Sequence, residues 1–182
     1  MRIVCISGSN RKEATSTKLV RYLAASIQEK GHEAQVIDLN ELQLPLYSPD
    51  DAEQHTNVKL LRESVLAADA IVLATPEYHG SISGVLKNAL DYLSFDYFNN
   101  KVVLSVSSAG GAVGISSLTH LQTIVRNVHG INCPEWISIG GDARQFTAEG
   151  QPVQEQVIQR VQKTLIYFLN LSASTRELKQ LM

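Results

Sequence analysis

Hydroxyl side chains and one arginine lie close together after the first apolar run of the chain. Residues 8–11 read Gly-Ser-Asn-Arg, and hydroxyl residues occupy positions 15–17. The first N–H groups of a helix lack partners and carry about half a positive charge, so such a segment at a helix start can hold a phosphate. The candidate phosphate ligands are Ser9, Arg11, Thr15, Ser16 and Thr17. The alternative is that Ser16 or Thr15 caps the helix and Arg11 lies in solvent.

This segment matches neither of two common nucleotide-binding signatures. No G-x-G-x-x-G follows the first apolar run, and no G-x-x-x-x-G-K-[ST] occurs in the chain. A dinucleotide-binding dehydrogenase and a P-loop NTPase therefore lack their usual signatures. A hydroxyl-rich cradle without a partner for Mg²⁺ instead favours a phosphomonoester, such as the terminal phosphate of FMN.

A second segment, residues 75–81, reads Thr-Pro-Glu-Tyr-His-Gly-Ser after another apolar run. Its peptide groups could meet the edge of a flat heterocycle, since the N5, O4 and O2 atoms of a flavin accept hydrogen bonds. The residues proposed to line this edge are Pro76, Glu77, Tyr78 and His79. Alternatively, the segment is an ordinary strand-to-helix turn with Ser83 as N-cap and with His79 in solvent.

A third segment, residues 107–114, reads Ser-Ser-Ala-Gly-Gly-Ala-Val-Gly. Closely spaced glycines let the backbone lie against a planar ligand, where a larger side chain would collide with the ring. The residues proposed to contact the ligand here are Ser108, Ala109, Gly110 and Gly111. The alternative is a flexible glycine turn.

Five short apolar runs alternate with helical stripes along the chain. The predicted strands are residues 3–6, 34–39, 70–74, 102–106 and 136–139. Apolar residues recur between and after these runs at spacings of three and four, which predicts helices. Three of the runs are almost continuously apolar, as expected of strands buried on both faces. The sequence therefore predicts an α/β fold, a three-layer sandwich with a five-stranded parallel sheet.

Five strands favour the flavodoxin-like order 2-1-3-4-5 over the six-stranded dinucleotide arrangement. Either order places a ligand beyond the carboxyl ends of strands 1, 3 and 4. The three candidate segments follow these three strands. We therefore expect them at one edge of the sheet, where each strengthens the binding interpretation of the others.

Length and composition predict one globular domain without a nucleic-acid or membrane partner. We place the domain at residues 1–172 and a polar, fraying tail at residues 173–182. Hydrophobic residues make up 44% of the chain without a long apolar run, and the net charge of −2 comes without a basic cluster. Residues 40–56, which hold two prolines, are predicted to form a loop over the second strand. Met1 and Arg2 lead directly into the first strand, which predicts a cytoplasmic protein without a secretory signal.

Neither cysteine is expected to bind a metal or to react. Cys5 and Cys133 form no C-x-x-C pair, and no histidine lies nearby at ligand spacing. We expect both to be buried structural thiols. The sequence predicts no metal site.

The three segments together resemble the NADPH-dependent FMN reductase family, the flavodoxin-like group that includes azobenzene, quinone and chromate reductases. The resemblance covers nearly the whole chain and is carried by residues 8–11, 76–78, 84–91 and 108–111. One feature departs from the family pattern. Many relatives place a small residue and a serine directly after Arg-x, whereas here residues 12–14 precede Thr15. Which hydroxyl would meet the phosphate stays open.

The resemblance implies tightly held FMN, with its phosphate on Ser9, Arg11 and residues 15–17 and its ring edge on amides that follow Pro76. It implies a ping-pong reaction in which NADPH or NADH gives a hydride to FMN, and the electrons then pass to a small acceptor. The acceptors implied are a flavin, a quinone, an azo compound or a metal oxyanion. Because FMN carries the chemistry, no catalytic side chain is expected.

The alternative function is a flavodoxin-type carrier that exchanges single electrons with protein partners. The near-neutral charge and the small residues at 110–111 favour the azoreductase-like enzyme. The resemblance also implies a homodimer or homotetramer. We expect the helix at residues 83–93 to lie at the subunit contact, with apolar surface supplied by Val85, Ala89 and Tyr92.

Overall fold

In a computed structural model of the chain, residues 1–50 and 55–180 are described. The strands are β1 (Arg2–Ser7), β2 (Glu33–Asp38), β3 (Ala70–Pro76), β4 (Val102–Ala109), β5 (Ile131–Asn132) and β6 (Ile137–Gly140). The helices are α1 (Thr15–Glu29), α2 (Thr56–Ala67), α3 (Gly84–Asp91), α4 (Ile115–Asn127) and α5 (Glu155–Gln180). Strand and helix alternate as the sequence predicts.

The sheet is parallel and its strands run in the order β2-β1-β3-β4-β5, so the predicted topology is confirmed. The prediction of five strands is wrong by one, because two short strands share the last position. β5 pairs with the start of β4 and β6 pairs with its end. Pro134 lies between them and cannot donate to a ladder, which accounts for the break. β5 has two residues, too few to show a pattern in the sequence.

Two layers of helices cover the sheet. One core cluster packs residues of α1 and α5 on the sheet, and the other packs α2, α3 and part of α4. β1, β3 and β4 are almost completely buried, which explains their continuous apolar sequences. Cys5 and Cys133 lie in this core as predicted, and burial raises the pKa of the Cys5 thiol to about 12. Neither thiol is therefore primed as a nucleophile.

The carboxyl-terminal segment is helical. α5 continues to Gln180 and includes most of the predicted polar tail. Arg176 pairs with Asp69 at 3.2 Å, which ties this end of the helix to the residue before β3. In the described part of the chain, no helix combines the length and the apolar character needed to cross a membrane.

The surface of α3 differs from the prediction for the subunit contact. Ala89 and Tyr92 are buried, so the expectation that they supply exposed apolar surface is wrong. Ala89 lies in the core cluster beneath the helix, and the chain at residues 45–47 lies against Tyr92. Tyr92 Oη donates to the carbonyl of Pro45 at 3.1 Å, and Asn88 bonds both that carbonyl and the Tyr47 N–H at 2.8 Å. Residues 51–54 of the predicted loop lie outside the described residues.

Candidate functional site

Loop 1 (residues 8–14), loop 3 (residues 77–83) and loop 4 (residues 110–114) follow β1, β3 and β4 at one edge of the sheet. Loops 1 and 3 are joined at Gly8. The Gly8 N–H donates to the carbonyl of Ala74 at 2.7 Å, and Ser83 Oγ donates to the carbonyl of Gly8. A Cβ on Gly8 would lie 2.6 Å from the Cβ of Leu86, so this close approach requires glycine. Ser83 also caps α3, accepting from Leu86 N at 3.1 Å, so this part of the alternative interpretation of the segment holds.

The first turn of α1 lacks a side-chain cap. The helix begins at Thr15 after Ala14, and neither Thr15 nor Ser16 occupies the capping position. The alternative that one of them merely caps the helix is therefore wrong. The first N–H groups of α1 remain available for an anion.

The hydroxyls near this helix start differ in their bonding. Thr17 Oγ1 bonds Ser7 Oγ at 2.7 Å, and Ser9 Oγ accepts from the Arg11 N–H at 3.2 Å. Ser16 Oγ is buried with no hydrogen-bond partner among the described residues. A buried hydroxyl left in this state costs about 1–3 kcal/mol. Arg11 is exposed and forms no ion pair within the described part of the chain.

Loop 3 uses two of the three amides that the sequence offers to the ring edge. The Glu77 N–H donates to the carbonyl of Ser108 at 2.9 Å. Tyr78 and Ser81 exchange two backbone hydrogen bonds of 3.0 Å, which close a tight turn. The residue between them, His79, has φ of +51° and Gly80 has φ of +73°, as in a type I′ turn. Of these three amides, the His79 N–H is the one without a hydrogen-bond partner in the described part of the chain.

Loop 4 is fixed at its carboxyl end and open in its middle. Ser107 Oγ donates to the carbonyl of Gly114 at 2.8 Å, while the Gly114 N–H donates to Ser138 Oγ at 2.9 Å. A Cβ added to Gly110 or Gly111 would meet nothing within 4 Å. Side chains at these positions would therefore occupy the open space into which loop 4 faces.

Sequence reasoning missed several residues that shape this edge. A Cβ on Gly140 would lie 2.0 Å from the carbonyl oxygen of Gly111, so β6 and loop 4 can pack only if residue 140 is glycine. The adjacent glycines at 140 and 141 were a signal in the sequence. No local signal marked Ser138, or His120 of α4, whose Nδ1 bonds Ser81 Oγ at 2.9 Å.

Residues 1–144 match the family of NADPH-dependent FMN reductases, a span that includes all three loops. The chain belongs to this family. It is 40% identical over 143 residues to an FMN-dependent NADPH-azoreductase of Staphylococcus aureus, and the match covers 76% of each protein. The chain is thus a flavin-dependent NAD(P)H oxidoreductase, with FMN and NADPH as cofactors.

Solved structures confirm the flavodoxin-like fold of this FMN reductase. FerB of Paracoccus denitrificans, a flavoenzyme NAD(P)H:acceptor oxidoreductase, has a TM-score of 0.82 at 22% identity, covering 96% of this chain and 98% of that one. An NADH:FMN oxidoreductase, EMOB in its apo form, has a TM-score of 0.72 at 20% identity, covering 92% and 87%. At these identities the likeness shows the fold alone.

The residues of this FMN reductase fit the cofactor. Within the described residues, the uncapped helix start, the Ser16 hydroxyl without a partner and the Arg11 guanidinium without an ion pair match the needs of a phosphate. The His79 N–H and the open space beside Gly110 and Gly111 match the needs of a flat ring. The described residues contain no group of three or more His, Cys, Asp or Glu side chains that could hold a metal ion.

Proposed function

We propose that the chain passes electrons from NADPH or NADH through FMN to a small oxidised acceptor such as an azo compound or a quinone. The observation that carries the proposed site is the uncapped, hydroxyl-rich start of α1, where Ser16 Oγ is buried and has no partner among the residues that the structure describes. The name of the S. aureus relative supports the azo compound.

When bound, FMN would supply the chemistry of hydride transfer from the nicotinamide and of electron transfer to the acceptor. We assign its phosphate to the first turn of α1, with Ser9, Arg11, Thr15 and Ser16 as ligands. Thr17 contributes less, because its hydroxyl is already bonded to Ser7. Since Ser16 Oγ is buried, loop 1 must open slightly for a phosphate to reach it.

We assign the ring to the space between loops 3 and 4. The His79 N–H is the donor in loop 3 for the ring edge, and Pro76 and Glu77 shape the backbone that carries it. Ser108 and Ala109 are buried at the end of β4, and Gly110 and Gly111 leave room for the face of the ring. Tyr78 is 43% exposed and lies at the rim, where a substrate can stack on it.

The test of this function is spectroscopic and needs no second protein. We expect purified protein to be yellow and to be bleached rapidly by NADPH in the absence of oxygen, with the colour restored by an azo dye or a quinone. A panel of acceptors then ranks the substrates. Yellow protein that NADPH does not bleach would indicate the single-electron carrier, and colourless protein that binds no added FMN would overturn the proposal.

We predict that Arg11→Ala weakens FMN binding by about 1–3 kcal/mol, the range for a lost charge-assisted hydrogen bond. The ligand-free protein should keep its stability, because Arg11 is exposed and forms no ion pair within the described residues. Serial dilution of the FMN-loaded protein, followed by the fluorescence of released flavin, gives the Kd. Lys12→Ala is the matched control, since it removes a neighbouring exposed charge. Equal Kd values for the two variants would show that Arg11 is a solvent-exposed residue without a role in FMN binding.

We also propose a homodimer or homotetramer in the cytoplasm. Both cysteines are free, as is usual in a reducing compartment. Leu46 is 87% exposed on the segment that Asn88 fastens to α3, which provides apolar surface near that helix. Light scattering should give a mass of at least two chains, and Leu46→Glu or Val85→Glu should lower it. A single-chain mass for the unmodified protein would contradict the oligomer.

A further inference from the structure

The first turn of α4 receives its cap from a distant residue. The helix follows Gly114, which has no side chain to accept a hydrogen bond. The Ser117 N–H instead donates to Oε2 of Glu77 at 2.9 Å. A carboxylate is favourable at this end of a helix because the N–H groups are unpaired and the helix dipole is positive there. The contact joins loop 3 to α4.

The backbone of Glu77 makes a second connection, to the end of β4. Its N–H donates to the carbonyl of Ser108 at 2.9 Å. Loop 4 connects β4 to α4, so it lies between the two groups that Glu77 bonds. Glu77 of loop 3 therefore bonds both β4, which precedes loop 4, and α4, which follows it.

A weaker contact lies one turn further along α4. Ser81 Oγ bonds His120 Nδ1 at 2.9 Å, but this pair is exposed and water competes for both groups. The Glu77 contact is partly buried and involves a charge, so it is the stronger of the two. Together the contacts make loop 3 and the start of α4 a single unit.

We propose that Glu77 is a positioning residue for FMN, an inference that rests on the proposed function. Its carboxylate fixes α4 to loop 3 and thereby sets the separation between the His79 N–H and the glycines at 110 and 111. A ring that fits between these two walls then binds without the cost of ordering them. The carboxylate acts through Ser117 and needs no contact with the ligand.

The test compares three variants of the FMN-loaded protein. Glu77→Ala removes both the charge and the acceptor, and Glu77→Gln keeps an acceptor for the Ser117 N–H. His55→Ala is the matched control: His55 Nδ1 caps α2 by accepting from Asn57 N at 3.2 Å, and His55 is not among the residues assigned to FMN. For each variant, the FMN Kd is measured by dilution and the thermal midpoint by circular dichroism.

We expect Glu77→Ala to raise the FMN Kd by about tenfold or more, and Glu77→Gln to raise it by about twofold at most. His55→Ala should lower the thermal midpoint and leave the Kd unchanged. A Kd for Glu77→Ala equal to that for His55→Ala would overturn the proposal and leave Glu77 as a helix cap alone.

Glu77→Asp and the unmodified protein provide two further measurements of FMN binding. If Glu77→Ala does not fold, Glu77→Asp replaces it, because the shorter side chain keeps the charge but does not reach Ser117 in the same geometry. We expect Glu77→Asp to raise the Kd more than Glu77→Gln does, and the reverse order would overturn the proposal. Failure of the unmodified protein to bind FMN would instead overturn the proposed function, so the two failures are distinguishable.

Discussion

Gly8→Ala is expected to destabilise the protein by roughly 2–3 kcal/mol and to weaken FMN binding. The reason is that loop 1 and α3 are already in close contact at Gly8, so an added methyl group overpacks this contact. The added Cβ would lie 2.6 Å from the Cβ of Leu86 and 2.8 Å from the carbonyl oxygen of Ala74. Neither atom is the end of a flexible side chain, so loop 1 and α3 must separate. Urea unfolding of the ligand-free protein measures the change.

Gly84→Ala is the matched control for this prediction. Gly84 is the first residue of α3, and a Cβ there would meet nothing within 4 Å. Alanine is the better helix former, so this variant should gain up to about 1 kcal/mol of stability. Equal effects of the two substitutions would show that loop 1 and α3 are not packed as closely as these distances indicate.

Gly110→Val is expected to raise the FMN Kd by about tenfold to a hundredfold, the equivalent of roughly 1–3 kcal/mol of overpacking, without lowering the stability of the ligand-free protein. The reason is that the space beside Gly110 is open, and the proposed ring would occupy it. Dilution of the FMN-loaded protein measures the Kd, and urea unfolding measures the stability.

Cys133→Ala serves as the control for the binding measurement, since Cys133 is a buried core thiol. This variant should lose some stability through its smaller side chain but bind FMN as before. An unchanged Kd for Gly110→Val would place the ring elsewhere. Loss of turnover in FMN-loaded Cys133→Ala would reveal a thiol chemistry that its buried position argues against.

The sequence by itself determined the strand order and the three loops of the candidate site. Continuous apolar runs identified the buried strands, and the alternation of strand and helix required parallel crossovers. Because parallel strands end at the same edge, residues far apart in sequence could be placed together without coordinates. The two-residue β5 was not predicted, because a strand of that length is too short to show a periodic pattern.

Only the tertiary structure decided which groups of the site are free. The sequence offers the amides of Glu77, Tyr78 and His79 equally, but the Glu77 N–H donates to Ser108 of β4 and the Tyr78 N–H donates to Ser81 within the turn of loop 3. The cap of α4 by Glu77, the burial of Tyr92 under Pro45 and the fit of Gly140 against loop 4 are likewise contacts between distant segments. The local pattern of apolar residues indicates which face of its strand or helix a residue lies on. Hydrogen-bond partners and close approaches depend on which segments meet, and that is settled only when the whole sheet and its helices pack.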